Sequence, residues 1–234
     1  MPEEISPGTL YIVSTPIGNL DDLSYRAVHI LSHVDLIAAE DTRTTGVLLK
    51  HYQIKKPLLS FYSYNEIRRV PELIEKLKSG LSIALVTDAG TPGISDPAYS
   101  IIRAALDELI PVTSIPGAAA FLPALITSGL SIERFVFEGF LPVKKGRKTK
   151  LEILCMEERT IVLYESPHRL LRTLSDLKDH FGDRQIAVAR ELTKKFEEIR
   201  RGKISEMIMH FSTHTIRGEF VLIIEGLIPS GNET

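Results

Sequence analysis

The chain of 234 residues contains a single cysteine, Cys155, so it cannot close a disulfide within itself and a reducing compartment fits best. Neither charge is in surplus: 28 Lys and Arg stand against 30 Asp and Glu, a formal net charge of −2. That balance excludes the globally basic signature of a dedicated nucleic-acid binder and leaves room only for a local basic patch. Long apolar runs are also missing. The longest, around residues 118–126, contains Pro123 and falls short of the roughly 18 residues that a spanning helix requires. Acidic Glu3 and Glu4 precede the first short apolar run, the wrong order for a secretory signal, so a cytosolic protein is expected. No metal is expected: His29 and His33 lie four apart, but no convincing third ligand accompanies them. Cys155, beside Leu151 and Leu154, reads as a packed small hydrophobe.

What is present is an ordinary globular composition, 44% hydrophobic and 25% charged. Its length suits one large domain or two of roughly 110–120 residues. Short apolar strands alternate with amphipathic helices. Strands are expected at 9–13, 35–39, 81–87 and 111–115. Between them fall helices carrying Leu23, Ala27, Ile30, Leu31 and Val34; Val70, Leu73, Ile74 and Leu77; and Ile102, Ala105, Leu106 and Leu109. Strands this apolar, separated by helices, imply a mainly parallel sheet covered on both faces. After Pro116-Gly117 the style changes. An apolar helix is expected in "AAAFLPALITSG", strands at 135–138, 160–164, 186–190, 196–200 and 219–225, and helices at about 149–157, 168–180 and 203–211. The consecutive strands 186–190 and 196–200 predict antiparallel pairing and hence a mixed sheet. The expected domains are 1–116 and 117–234, followed by a short polar tail that frays after Gly226.

The stretch "VTDAGTPGISDP" (86–97) is a glycine-rich turn between a strand and a helix, where ligands of parallel sheets gather. It has no Lys or Arg, and Asp88 and Asp96 would repel a phosphate. Gly-Lys-Ser/Thr is absent, and "IVSTPIGNL" after the first strand has one glycine where a dinucleotide fingerprint needs three. Carboxylates beside an open backbone suit a ligand with hydroxyls and positive charge, and S-adenosylmethionine has both. The plainer alternative is that Ser95 or Asp96 caps the next helix, with Pro97 in its first turn. That explains Asp96 and leaves "DAGTPG" unexplained.

The blocks "STPIGNLDDLSYRA" (14–27), "EDTR" (40–43), "SFYSYNE" (60–66), "VTDAGTPGISDP", "SIPGAAA" (114–120), "LYESPHRL" (163–170), "ARELTK" (189–194) and "GEFVLIIEG" (218–226) resemble, in order and along nearly the whole chain, one family. It is the family of small-subunit ribosomal RNA cytidine 2′-O-methyltransferases within the tetrapyrrole-methylase superfamily, which modify a decoding-site cytidine. The resemblance implies two α/β domains with S-adenosylmethionine in the cleft between them, a homodimer, small-subunit rRNA or the ribosomal subunit as partner, and no metal. By matching motifs, Pro16, Ala89, Gly90, Thr91, Ile94, Ala118, Ala119, Tyr164, Glu165 and Ala189 would meet the cofactor. Tetrapyrrole-acting relatives often show Gly-Asp-Pro where this chain has Gly90-Thr91-Pro92, leaving Asp88 to supply the acidic contact. Members often continue into a helical C-terminal extension. Here eight residues follow Gly226, so RNA contacts made by such an extension are expected to be absent or supplied otherwise.

For the substrate, Glu40 or Asp41 is expected to orient or deprotonate the acceptor hydroxyl, with Arg43 on a phosphate; equally, Asp41 or Thr42 is a helix cap. Tyr62 and Tyr64 could stack on a splayed base, and Asn65 or Glu66 could read its edge. The plainer reading has Asn65 capping the helix and the tyrosines partly packed. Lys144, Lys145, Arg147, Lys148 and Lys150 form a basic cluster, either solvated surface or a phosphate clamp. Arg169, Arg190 and Lys194 could extend it, although Arg190 and Glu191 could equally pair with each other. The rival readings are a tetrapyrrole C-methyltransferase and a non-catalytic RNA-binding protein.

Overall fold

A computed structural model describes residues 4–96 and 98–228. Pro97, expected in the first turn of a helix, and the polar tail from 229 lie outside the described residues. The chain divides into two compact units, Met1–Ala119 and Ala120–Thr234.

The first unit alternates strands and helices throughout: β1 (Leu10–Val13), α1 (Tyr25–His33), β2 (Leu36–Ala39), α2 (Thr42–His51), β3 (Leu58–Ser60), α3 (Glu66–Lys78), β4 (Ile83–Val86), α4 (Ala98–Asp107) and β5 (Val112–Ile115). All five strands are parallel, in the order β3-β2-β4-β1-β5. Side chains alternate across such a sheet, and the two cores follow that alternation. Tyr11, Val13, Ile37, Ala39, Ala84 and Val86 face α1 and α2, through Ile30, Leu31, Leu48 and Leu49. Leu10, Ile12, Ala38, Ile83 and Leu85 face α3 and α4, through Leu73, Leu77, Ile101 and Ala105. Burial on both faces is why β1, β2 and β4 are continuously apolar.

Three neighbouring pairs in this order, β1/β4, β4/β2 and β2/β3, lead into helices on opposite faces of the sheet. β1 and β4 are adjacent, yet β1 leads through α1 on one face and β4 through α4 on the other. Such a divergence opens a crevice at the carboxyl ends of the strands. The glycine-rich loop leaves β4 there.

The second unit contains α5 (Phe121–Ile126), β6 (Phe135–Phe140), α6 (Arg147–Leu154), β7 (Thr160–Glu165), α7 (Leu170–Phe181), β8 (Gln185–Arg190), β9 (Glu198–Lys203), α8 (Ile204–Thr213) and β10 (Phe220–Ile224). Its sheet, β6-β7-β10-β8-β9, is mixed: β6 and β7 are parallel, and the other pairs are antiparallel. β10 is fully buried at its centre. Helices α6, α7 and α8 cover one face through Leu151, Leu154, Leu174, Leu177, Met207 and Phe211.

The α/β class, the parallel first sheet and the mixed second one are as the sequence predicts. Several elements differ in their bounds: α4 ends at Asp107, short of Leu109, which turns with φ 57°, and α6 ends at Leu154 rather than 157. The apolar helix expected through 118–129 is only α5, six residues long, because the Thr127 hydroxyl folds back onto the Pro123 carbonyl and Gly129 turns with φ 79°. β9 starts at Glu198 rather than 196, since Glu191 and Thr193 adopt positive φ in the preceding turn.

Candidate functional site

Five loops emerge from the carboxyl edge of the parallel sheet, and hydroxyl groups tie three of them together. Thr15, after β1, exchanges two backbone hydrogen bonds with Gly90 (2.9 and 3.1 Å), and its hydroxyl donates to the Thr87 carbonyl at 3.0 Å. Thr91 donates to the Ala118 carbonyl at 2.9 Å, and its oxygen lies 2.8 Å from the Ser14 hydroxyl, which also reaches the Ile115 carbonyl at 3.2 Å. The loops after β1, β4 and β5 are thus one assembly. Gly90 has φ 88°, a conformation that disfavours a side chain, and a Cβ on Gly117 would stand 2.7 Å from that of Ser14. Pro16 and Gly90 are buried, Thr91, Ala118 and Ala119 half-buried, and Ala89 and Ile94 exposed. Ser14, Thr15 and Thr87, which fasten these loops, escaped the sequence reading. Their only sequence signal is a hydroxyl residue directly after an apolar strand.

Acids crowd the same edge. Glu40, at the end of β2, accepts from the Thr87 hydroxyl at 2.5 Å and from the Asp88 amide at 3.2 Å, while the Asp88 carboxylate accepts from the Asp41 amide at 3.1 Å. Burial and the neighbouring Glu40 push the Asp88 carboxyl above its ordinary value. Burial does the same to Asp96, whose oxygen accepts from the amides of Gly93 (2.9 Å) and Ala98 (3.1 Å), so it caps the start of α4. Asp41 behaves differently. It caps α2 by accepting from the Arg43 amide, and the Arg43 guanidinium chelates it at 2.5–3.1 Å. These bonds hold its carboxyl down to about 2. Asp41 is thus a helix cap, and a carboxylate so firmly ionised is a poor proton acceptor. Arg43 itself remains 90% exposed.

At the end of β3, Tyr62 and Tyr64 project outward, their rings edge to face at 6.4 Å. Asn65 neither caps α3 through its side chain nor faces outward. Its carbonyl oxygen accepts from the Tyr62 amide at 2.9 Å and its amide donates to the Ser60 carbonyl at 3.1 Å, closing the loop that presents the tyrosines. With its polar atoms spent in these bonds, Asn65 has none left to read a base edge, contrary to the expectation. Glu66 stands in the first turn of α3, half-buried.

In the second unit, Tyr164 lies half-buried among Phe137 (5.1 Å) and Phe140 (5.7 Å), and burial raises its phenol. Ala189 is buried on β8. Glu165 is a correction. Its carboxylate is fully buried, accepting from the Thr173 hydroxyl at 2.5 Å and the Ser166 amide at 2.8 Å, beside Arg169 at 3.3 Å, so it has no face for a ligand. Arg147 is a second correction. Its side chain is 5% exposed and locked to Asp176, Thr173 and the Pro142 carbonyl, not displayed with the lysines. Lys144, Lys145 and Lys148 are exposed, Lys148 at 3.8 Å from Glu152, whereas Lys150 pairs with Glu138. Arg169 donates to the Leu141 carbonyl, Arg190 donates to the Arg217 carbonyl and pairs with Glu198, and Lys194 bridges Glu191 and Glu219. These three cations serve internal partners, so the basic surface does not extend through them as expected. Nor does Arg190 pair with Glu191, which turns to Lys194.

Among the described residues no group of His, Cys, Asp and Glu could hold a metal, and no helix is long and apolar enough to cross a membrane.

The sequence pattern described as Tetrapyrrole (Corrin/Porphyrin) Methylases matches residues 9–208. The chain belongs to this family. Relatives carrying the name ribosomal RNA small subunit methyltransferase I include a protein from Synechocystis sp. (54% identical; 95% of this chain and 80% of the relative). Others are from Haemophilus influenzae (49%; 96% and 81%) and Thermotoga maritima (48%; 94% and 99%). The Thermotoga protein is spanned almost whole, so a C-terminal extension is not common to every relative of that name. Among solved tetrapyrrole methylases, uroporphyrin-III-C-methyltransferase from Thermus thermophilus superposes with a TM-score of 0.67 at 19% identity (93% of this chain, 94% of that one). Cobalt precorrin-4 methyltransferase superposes at 0.66 and 17% (93% and 95%). At such identities the likeness concerns the fold alone. The resemblance read from the motifs is thus borne out at the level of the family.

Proposed function

We propose that the protein transfers a methyl group from S-adenosylmethionine to the 2′-hydroxyl of a cytidine in small-subunit ribosomal RNA. The observation that carries this reading is the likeness at 48–54% identity, across 94–96% of the chain, to proteins named ribosomal RNA small subunit methyltransferase I. Family membership implies a methyl donor. The chemistry of this sheet edge supports the cationic choice: Asp88, Glu40 and Asp96 cluster there, and open backbone at Gly90 lets a ligand approach. Phosphate is disfavoured there by the same carboxylates.

When bound, S-adenosylmethionine supplies an electrophilic methyl carbon on a sulfonium, the leaving group of an in-line displacement. The chain's own tasks are to hold the donor, align the ribose oxygen and remove its proton. Pro16, Ala89–Ile94, Ala118 and Ala119 are assigned to the donor, with Asp88 as the acidic contact. Of the two expected bases, Glu40 is retained. One of its oxygens is fixed by Thr87 and Asp88, which orients the other. Asp41 instead positions Arg43, an exposed cation suited to a backbone phosphate. Tyr62 and Tyr64 are assigned to base stacking, and Lys144, Lys145 and Lys148 to phosphates. A cytoplasmic homodimer completes the proposal.

The test is mass spectrometry of nucleosides from free 16S-type rRNA and from assembled small subunits, each incubated with the protein and S-adenosylmethionine. A new 2′-O-methylcytidine on either form is expected. Its absence from both, with methylation of a corrinoid or porphyrinoid precursor instead, would replace this reading with tetrapyrrole methylation.

A further inference from the structure

The loop that carries Lys144 and Lys145 is fastened by a closed polar circuit. It begins at the Leu141 carbonyl, which accepts from Arg169 at 2.5 Å; Arg169 lies 3.3 Å from Glu165. Glu165 accepts from the Thr173 hydroxyl at 2.5 Å, and that oxygen in turn accepts from Arg147 at 2.8 Å. Arg147 completes the circuit by donating to the Pro142 carbonyl at 3.1 Å, one residue beyond the start, while Asp176 neutralises it at 2.7 Å. Two adjacent carbonyls are thus gripped by two arginines that share one buried acid through one hydroxyl. Buried ion networks of this kind are seldom favoured over apolar packing on stability grounds, and their best-attested use is to fix geometry.

We propose that Arg147 is a positioning residue for RNA binding: the circuit through Thr173 and Glu165 holds loop 141–146 so that Lys144 and Lys145 meet the phosphates together. This rests on the rRNA reading above. Released from the circuit, the two lysines would remain exposed and charged, but they would no longer be held at one spacing.

The test is the salt dependence of binding, by fluorescence anisotropy on a small-subunit rRNA fragment. Each phosphate contact contributes roughly 0.7–0.9 to the slope of log K against log salt. Replacing Lys144 and Lys145 by alanine is therefore expected to flatten the slope by about 1.4–1.8. Arg147→Met, whose own charge is buried, is expected to flatten it similarly, and combining all three changes is expected to add nothing. Thr173→Ser, which keeps the hydroxyl, should retain the wild-type slope. If Arg147→Met does not fold, Arg147→Lys is read in the same way: it keeps a charge against Asp176 but cannot span Thr173 and Pro142. A folded Arg147 variant with the wild-type slope, or additive losses in the combined variant, overturns the proposal alone. A wild-type protein that binds neither the rRNA fragment nor the assembled small subunit overturns both the proposal and the function on which it rests.

Discussion

Thr91→Val tests whether the three loops at the sheet edge act as one assembly. The substitution keeps shape and removes a hydroxyl that donates to the Ala118 carbonyl at 2.9 Å and lies 2.8 Å from Ser14. Because the Ser14 hydrogen is shared between Thr91 and the Ile115 carbonyl, Ser14 keeps a partner, whereas Ala118 loses its donor. One lost neutral hydrogen bond costs about 1 kcal/mol net, and a partner left half-buried and unpaired brings the total to about 1–3 kcal/mol. The melting temperature should fall by about 2–4 °C per kcal/mol. If binding of the donor has to restore the order of Gly90–Ile94 and Ala118–Ala119, each ~1.4 kcal/mol of that cost weakens binding about tenfold. Calorimetry of S-adenosylmethionine binding, with thermal melts alongside, measures both quantities. Thr91→Ser should stay close to wild type. Wild-type affinity and melting temperature in Thr91→Val would refute the idea that hydroxyls couple these loops.

Gly117→Ala should cost about 1–3 kcal/mol by overpacking, since its Cβ would meet that of Ser14 at 2.7 Å; a melting curve decides. Glu40→Gln should lower turnover about 10²-fold or more while leaving donor affinity within a few fold, as single-turnover methylation would show. Asp41 has a folded pKa of about 2 against an ordinary 3.8, so its stabilising contribution is complete above pH 4 and is lost as pH falls toward 2. Asp41→Asn should therefore leave the acid limb of the pH–rate profile in place and weaken RNA affinity through Arg43; a displaced acid limb would contradict this. Asp88 has the opposite sign. A carboxyl raised above 3.8 in the fold opposes folding once ionised, and that penalty is relieved as pH falls through the raised value. Asp88→Asn should thus melt slightly higher at neutral pH, by well under 1 kcal/mol in stability for so exposed a group, yet bind the donor more weakly.

Much of this architecture is legible in the sequence because burial on both faces of a parallel sheet writes itself as unbroken apolar strands, as at Leu10–Val13 and Ile83–Val86. The mixed sheet is legible because the strands after Gln185 and Glu198 follow too closely for a crossover helix. The crevice loop is legible because glycines and acids replace the cations that a phosphate loop would need. Illegible features depend on distant partners. Arg147 sits in a run of surface-like charges, and only Asp176 and Thr173, 29 and 26 residues away, draw it inside. Asn65 has the composition of a helix cap, but the returning Ser60 carbonyl gives its amide another use. Glu165 ends a strand where a ligand contact is expected, and the hydroxyl of Thr173 on α7 donates to its carboxylate while Arg169 balances its charge instead.

The central claim is that a cationic methyl donor sits at the carboxyl edge of the parallel sheet, where β1 and β4 part. Hydrogen–deuterium exchange with and without S-adenosylmethionine measures this directly. The account predicts protection confined in the first unit to the segments around Ser14–Pro16, Asp88–Ile94 and Pro116–Ala119. Binding that leaves these three segments unprotected, or no binding at all, would contradict it.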